Sequence, residues 1–206
     1  GLLEADWSAA ALWYEYIAIH GGELLLEGLK EESLQGDRIV ADLYAKYFGV
    51  ETEFIEDGAL IRSVFCQPKA VSIDFVNTPD LYPAVALTCE RLGITLNAVG
   101  TERLRYKESD RIEAVRLHEV RNDHRMAMAL MAADFPVSIE EQQCIAKSYP
   151  RFAEFFKSIT RQSRQSTDGQ PTVKDYVLPT QFSHITPSKG VHDANLGKKH
   201  ALSKII

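Results

Sequence analysis

The chain has 206 residues, 45% of them hydrophobic and 25% charged, with a formal net charge of −6. This length suits one domain, or a domain with a tail, and the apolar fraction is that of a globular protein. The acidic balance argues against nucleic acid as a main partner, and no apolar run approaches the roughly 20 residues of a membrane span.

In chain order, Trp7–Ile19 reads as a mostly apolar helix ended by Gly21-Gly22, and Glu23–Glu27 as a strand. Ser33 is a cap for a second helix, with Ile39, Val40, Leu43, Tyr44, Tyr47 and Phe48 at three/four spacing. Strands follow at 51–55 and 59–65, turned at Asp57-Gly58, and again over Val71–Val76. Thr78-Pro79-Asp80 starts the next helix, Leu81–Leu92, with a strand over Ile94–Val99. Ile112–Val120 is helix-forming. A further helix starts at Asn122, then a strand over Pro136–Ile139, then a helix capped by Ser148 with Phe152, Phe155, Phe156 and Ile159 on one face. The unit helix–strand–polar motif–helix thus recurs along residues 1–159, a domain of α/β class. Residues 160–206 are polar and basic, lack periodicity, and are expected to be a disordered or irregular tail. Cys66, Cys89 and Cys144 form neither a disulfide framework nor a zinc pattern, and read as reduced core thiols in a cytoplasmic protein. No signal peptide is evident, and a first residue of Gly rather than Met suggests a fragment or a processed product.

Two runs concentrate chemistry: Lys107-Glu108-Ser109-Asp110-Arg111 and Asn122-Asp123-His124-Arg125-Met126-Ala127-Met128. Each mixes acids, bases and small polar groups, then opens into a helical pattern. Helix starts carry unpaired N–H groups and partial positive charge, so cations gathered there point to an anionic ligand with acid/base groups beside it. No phosphate loop, dinucleotide fingerprint or metal-ligand spacing is present, so neither a cofactor nor a metal is implied.

With Glu4–Ala10 (Glu-Ala-Asp-Trp-Ser-Ala-Ala), Ser33–Asp37 (Ser-Leu-Gln-Gly-Asp) and Ala146–Phe152 (Ala-Lys-Ser-Tyr-Pro-Arg-Phe), these runs make the chain resemble the C-terminal half of the 5-enolpyruvylshikimate-3-phosphate synthases over roughly residues 1–159. The resemblance implies an inside-out α/β barrel of repeated units, helices inside and sheets outside. It implies transfer of enolpyruvyl from phosphoenolpyruvate to the 5-hydroxyl of shikimate 3-phosphate. Asp80 matches the family's general base and Glu108 its proton donor to the methylene carbon. Arg111, Arg125 and Lys147 match cations that bind phosphoenolpyruvate, and Lys107 a contact to shikimate 3-phosphate. Arg suits bidentate contact with carboxylate or phosphate, while Lys acts as a point charge. By residue type alone, Asp80 is as readily a helix-start acid, Glu108 a solvated charge and the cations surface residues. His124 reads as a hydrogen-bonded histidine, Asp6 as a cap, and Met126, Met128 and Met131 as core.

The family's N-terminal domain, with its catalytic lysine and Ser-Gln cluster, has no counterpart here. The link from Arg111 to Asn122 is also too short for the helix and β-hairpin expected there. One repeat is therefore expected to be truncated, with a continuous kinked helix or a displaced Arg125 as the result. The fragment alone is expected to be inactive, with the missing domain as the partner that completes the site. The rivals are the sister enolpyruvyl transferase acting on UDP-N-acetylglucosamine, and a catalytically dead remnant that binds a partner half-domain.

Overall fold

Helix α1 (Trp7–His20) is buried on nearly all sides from Trp7 to Ile17, as its lack of a polar face requires. The computed structural model describes residues 4–66, 68–165 and 173–177. The Asp6 carboxylate caps α1 by accepting from the N–H groups of Ser8 and Ala9, and Gly21, at φ 76°, ends it. Strand β1 (Glu23–Glu27) follows, then a 3₁₀ turn (Gly36–Ile39) leading into α2 (Val40–Tyr47). Ser33 accepts from the N–H of Gln35 but does not cap α2; the 3₁₀ turn intervenes.

Strands β2 (Val50–Ile55) and β3 (Gly58–Ser63) form the expected hairpin. Gly58 faces β1 so closely that a Cβ there would overlap the Leu26 carbonyl, which fixes the residue as glycine. Strand β4 (Ala70–Asp74) leads through the 3₁₀ turn Pro79–Leu81 into α3 (Tyr82–Leu92) and then β5 (Thr95–Val99). β4 and β5 pair in parallel as a two-stranded sheet. Along β4 buried and exposed residues alternate, so its inner face packs on the helices and its outer face meets solvent. Helix α1 packs against α2, α3 and α5 (His124–Ala132).

Between Arg111 and Arg125 no strand forms. Helix α4 (Arg111–Leu117) ends at His118, in the left-handed conformation, and Arg121 and Asn122 also have positive φ before α5 begins. The link is therefore helix–turn–helix, not the continuous kinked helix expected. The Phe135 ring holds the turn: His118 stacks on it at 4.0 Å between ring centres, and the Arg91 guanidinium lies over it at 4.0 Å. His118 in turn contacts Glu90 at 2.7 Å.

The strand expected over Pro136–Ile139 does not form either. Pro136 lacks a donor, no ladder partner is beside it among the described residues, and Ser138 and Glu141 make a capping box that starts α6 (Ile139–Gln142) at Ile139. A 3₁₀ turn (Gln143–Ile145) packs on α5. Ser148 is not a helix cap: α7 (Phe152–Gln165) begins four residues later, beyond Pro150. α7 runs past the expected boundary at residue 159. Strand β6 (Val173–Val177) then pairs in parallel with β1, giving a four-stranded sheet of order β2-β3-β1-β6. The stretch expected to be irregular is thus regular at both places, and its other residues lie outside those described. Of the three free cysteines only Cys89 is in the core; Cys66 and Cys144 are half-buried. Among the described residues no helix is long and apolar enough to cross a membrane.

Candidate active site

Asp80 sits in the turn that opens α3, and three cations from two other segments converge on it. Lys107 Nζ lies 3.3 Å from Asp80 Oδ1, and Arg111 Nη1 donates to the same oxygen at 2.8 Å. Arg125 Nη2 is 3.6 Å from Oδ2. Burial pushes the Asp80 pKa upward, but Arg125, Arg111 and Lys107 together outweigh it and hold the carboxyl below its ordinary value. Asp80 is therefore an ionised acceptor at neutral pH.

Beneath this pair lies Asp123, which sequence reasoning did not single out. Arg111 donates to it through Nε at 2.8 Å and Nη2 at 3.2 Å. Ser109 Oγ donates at 2.9 Å, and the N–H groups of Arg125 and Met126 at 3.0 and 3.4 Å. Asp123 is thus the N-cap of α5, one residue later than the expected start, and it satisfies that helix end itself. Arg111 is 2% exposed and Asp123 0%. Burial raises the Asp123 pKa, but the Arg111 bonds and charge outweigh it, so the carboxylate stays ionised. Asp123 lies inside the Asn122–Met128 run, and a carboxylate two and three residues before a helix's first free N–H groups is the signal that could have found it.

Glu108 is exposed. It binds His124 twice, accepting from the backbone N–H at 3.2 Å and facing Nδ1 at 2.9 Å. His124, the residue before Arg125, is thus hydrogen-bonded, as expected. Lys147 is exposed beyond the Gln143–Ile145 turn and makes no ion pair among the described residues. Cys144, three residues earlier, faces the cluster: burial, then the charges of Asp123 and Glu108, push its thiol pKa up. The structure therefore joins Asp80, Lys107, Arg111 and Arg125, sets Glu108 beside them through His124, and leaves Lys147 outside the ion-pair network. Arg125 is not displaced by the short link.

Asp37, from the Ser33–Asp37 motif, is a further acid at this site. It accepts from Ser8 Oγ. Burial raises its pKa and the Ser8 bond lowers it; Asp80 then adds to the rise and Arg125 opposes it, with a net upward shift. Donor atoms of Glu108, Asp123 and His124 lie within 4.8 Å of one another, a spacing a metal could use. Both Asp123 oxygens are already taken by Arg111 and N–H donors, however, so the trio reads as an ion-paired network.

The family model described as EPSP synthase (3-phosphoshikimate 1-carboxyvinyltransferase) matches residues 2–119. Curated proteins named 3-phosphoshikimate 1-carboxyvinyltransferase are similar to the chain. One from Bacteroides fragilis is 32% identical over 185 residues, covering 73% of this chain and 45% of that protein. One from Clostridium kluyveri is 33% identical over 189 residues, covering 76% and 43%. One from Methanospirillum hungatei is 28% identical over 187 residues, covering 76% and 44%. The chain spans less than half the length of these relatives. With a family match over more than half of its residues, it belongs to the EPSP synthase family.

Proposed function

We propose that residues 1–159 form the C-terminal half of a 3-phosphoshikimate 1-carboxyvinyltransferase, an inside-out α/β barrel with one repeat shortened between 111 and 122. Its reaction moves enolpyruvyl from phosphoenolpyruvate to the 5-hydroxyl of shikimate 3-phosphate, releasing phosphate. The observation that carries this reading is the convergence of Lys107, Arg111 and Arg125 on the Asp80 carboxylate. Two polyanions brought together need such a cluster, and an acid/base group within it.

In this scheme Asp80 takes the hydroxyl proton. With three cations on it, it is a weak base. An incoming phosphate or carboxylate competes for Lys107 and Arg125, the less buried two, and removing their charge raises the proton affinity of Asp80. Arg111 is already bound by two carboxylates, so it acts mainly by holding Asp80 in place. Glu108 supplies the proton to the methylene carbon, with His124 fixing its direction. Lys147, exposed and without an ion pair among the described residues, supplies a further cation for phosphoenolpyruvate.

The relatives' greater length supports a second half that completes the site. The matched stretch with the Bacteroides fragilis protein runs over 185 positions yet draws on only 73% of this chain, which supports the shortened repeat. The test is phosphate release from the two substrates, by the full chain alone and with the N-terminal half of a relative added. The chain alone is expected to release none. With the added half, release should appear, and Asp80→Asn should slow it by about 10²–10⁴-fold. Release that is indifferent to Asp80→Asn would refute the assignment.

A further inference from the structure

We infer that the cleft at the far end of α1 and α5 from Asp80 binds an organic ammonium ion with an aromatic body. The cleft measures about 640 Å³, the size of a small-molecule site, and lies among Tyr16, His20, Asp134, Phe135, Phe156 and Thr160. The hydrogen bonds around it select the class of ligand, because donors there are already committed. A carbonyl only accepts, so His20 Nε2 donates to the Ala132 carbonyl, at 2.9 Å. The Thr160 hydroxyl donates to the carbonyls of Phe156 and Lys157, at 3.0 and 3.2 Å. The N–H groups of Asp134 and Phe135 donate to the carbonyls of Met131 and Leu130, at 3.1 and 2.9 Å, and Pro136 has no N–H. What these residues still offer a ligand is acceptors. The Thr160 oxygen keeps its lone pairs. The Asp134 side chain is 64% exposed, with His20 Nε2 3.5 Å from one carboxylate oxygen.

The field in the cleft has the same sign. Helix α1 ends at His20 and α5 at Ala132, so both turn their negative ends towards it. Among the described residues no lysine or arginine lines it. The walls suit an aromatic body. Tyr16 and Phe156 meet edge to face, with ring centres 6.1 Å apart, and ring faces of this kind attract a nearby cation. Arg91 and His118 each lie 4.0 Å from the Phe135 ring centre, so they take its opposite faces and leave it an edge. A ring edge is positive and packs on the face of an aromatic ligand. An anion would meet the Asp134 carboxylate and two helix C-ends. An ammonium donates to Asp134 and Thr160 while its ring rests on the aromatic walls.

The test follows backbone amide NMR shifts of the isotope-labelled full chain during titration with phenethylammonium chloride at constant ionic strength. Saturable shifts should gather at Asp134, Phe135 and Thr160, while the amide of Arg125, at the other end of α5, stays in place. Two probes of the same shape need no variant. 2-Phenylethanol, which is neutral, should bind at least about tenfold more weakly, and 3-phenylpropanoate should give no saturable shift there. Asp134→Asn removes the charge at a residue whose φ is 61°, a left-handed conformation that Asn also tolerates. It should weaken phenethylammonium by about tenfold. The inference is overturned if phenethylammonium gives no saturable shift at these residues, or if the alcohol or the propanoate binds as tightly. An affinity unchanged in folded Asp134→Asn overturns it equally; should that variant not fold, the three-probe comparison on the natural chain decides.

Discussion

Replacing Arg111 with Ala should be among the most damaging changes outside the apolar core, and the structure says why. The guanidinium makes two bonds to Asp123 and one to Asp80. Asp80 is 30% exposed at its side chain and keeps Lys107 and Arg125, so its loss resembles that of a surface pair, under about 1 kcal/mol. Asp123 is 0% exposed and would be left with neutral donors only: the Ser109 hydroxyl and two N–H groups. Breaking a buried pair in this way costs about 3–5 kcal/mol, because the remaining charge is stranded. For a domain of this size that is a fall in Tm of about 6–20 °C. Arg111→Lys keeps a charge but cannot fork between two carboxylates, so roughly half the loss should remain. Urea unfolding at pH 7 measures the difference, and repeating Arg111→Ala in an Asp123→Asn background isolates the coupling. A loss below about 1 kcal/mol, or an equal loss in both backgrounds, would refute the claim that Asp123 carries the cost.

The acid limb of stability should carry the same signature. Asp80 and Asp123 have folded pKa values below the ordinary carboxylate value, so their contribution is present above about pH 4 and is lost as pH falls through the folded values. Urea midpoints between pH 5 and 2 should drop steeply in the natural chain and less so in Arg111→Ala. Glu15 has the opposite sign: it is fully buried in α1, neither carboxyl oxygen has a hydrogen-bond partner among the described residues, and burial pushes its pKa well up. The unfolded chain ionises above about pH 4.3 while the fold does not, so Glu15 costs more stability as pH rises. Glu15→Met should gain about 1–3 kcal/mol at pH 8 and clearly less at pH 4; an equal gain at both would show the carboxyl is not held neutral.

Much of this fold was legible because local signals and burial agree. The apolar run of α1, the hairpin turn (at Glu56-Asp57, one residue before the expected Asp57-Gly58) and the Thr78-Pro79-Asp80 start each have a local cause, and each element formed within a few residues of its expected bounds. The failures are places where a distant partner decides. Pro136–Ile139 has strand composition, but a strand exists only with a neighbour, and none among the described residues pairs with it. Val173–Val177 has no sequence feature that sets it apart in a polar tail; the free edge of β1 selects it. At the site, the cations were legible as residue types at helix starts. Asp123 was not, because its importance comes from meeting Arg111 in the interior, and spacing does not display that.

That meeting also anchors both ends of the link between α4 and α5. Arg111 is the first residue of α4 and Asp123 the cap of α5, and the two side chains bind each other directly. The chain from Ile112 to Asn122 therefore leaves one point and returns to it. A closed excursion of this kind can change length without moving its ends, since loop closure adds only about 0.6 kcal/mol for each doubling. What changes is the far end of the excursion. There the His118–Phe135–Arg91 stack holds the turn, and the segment after α5 runs through Pro136–Ser138 without forming a strand. The geometry of Asp80, Arg111 and Arg125 is thus insulated from the length of this excursion by the buried ion pair at its base. For the same reason, Phe135→Ala should loosen the His118 turn while leaving the Arg111–Asp123 contact intact. Faster amide exchange over 118–122, with protected amides at Arg125 and Met126, is the expected result. Loss of protection at both ends together would show that link and site unfold as one unit.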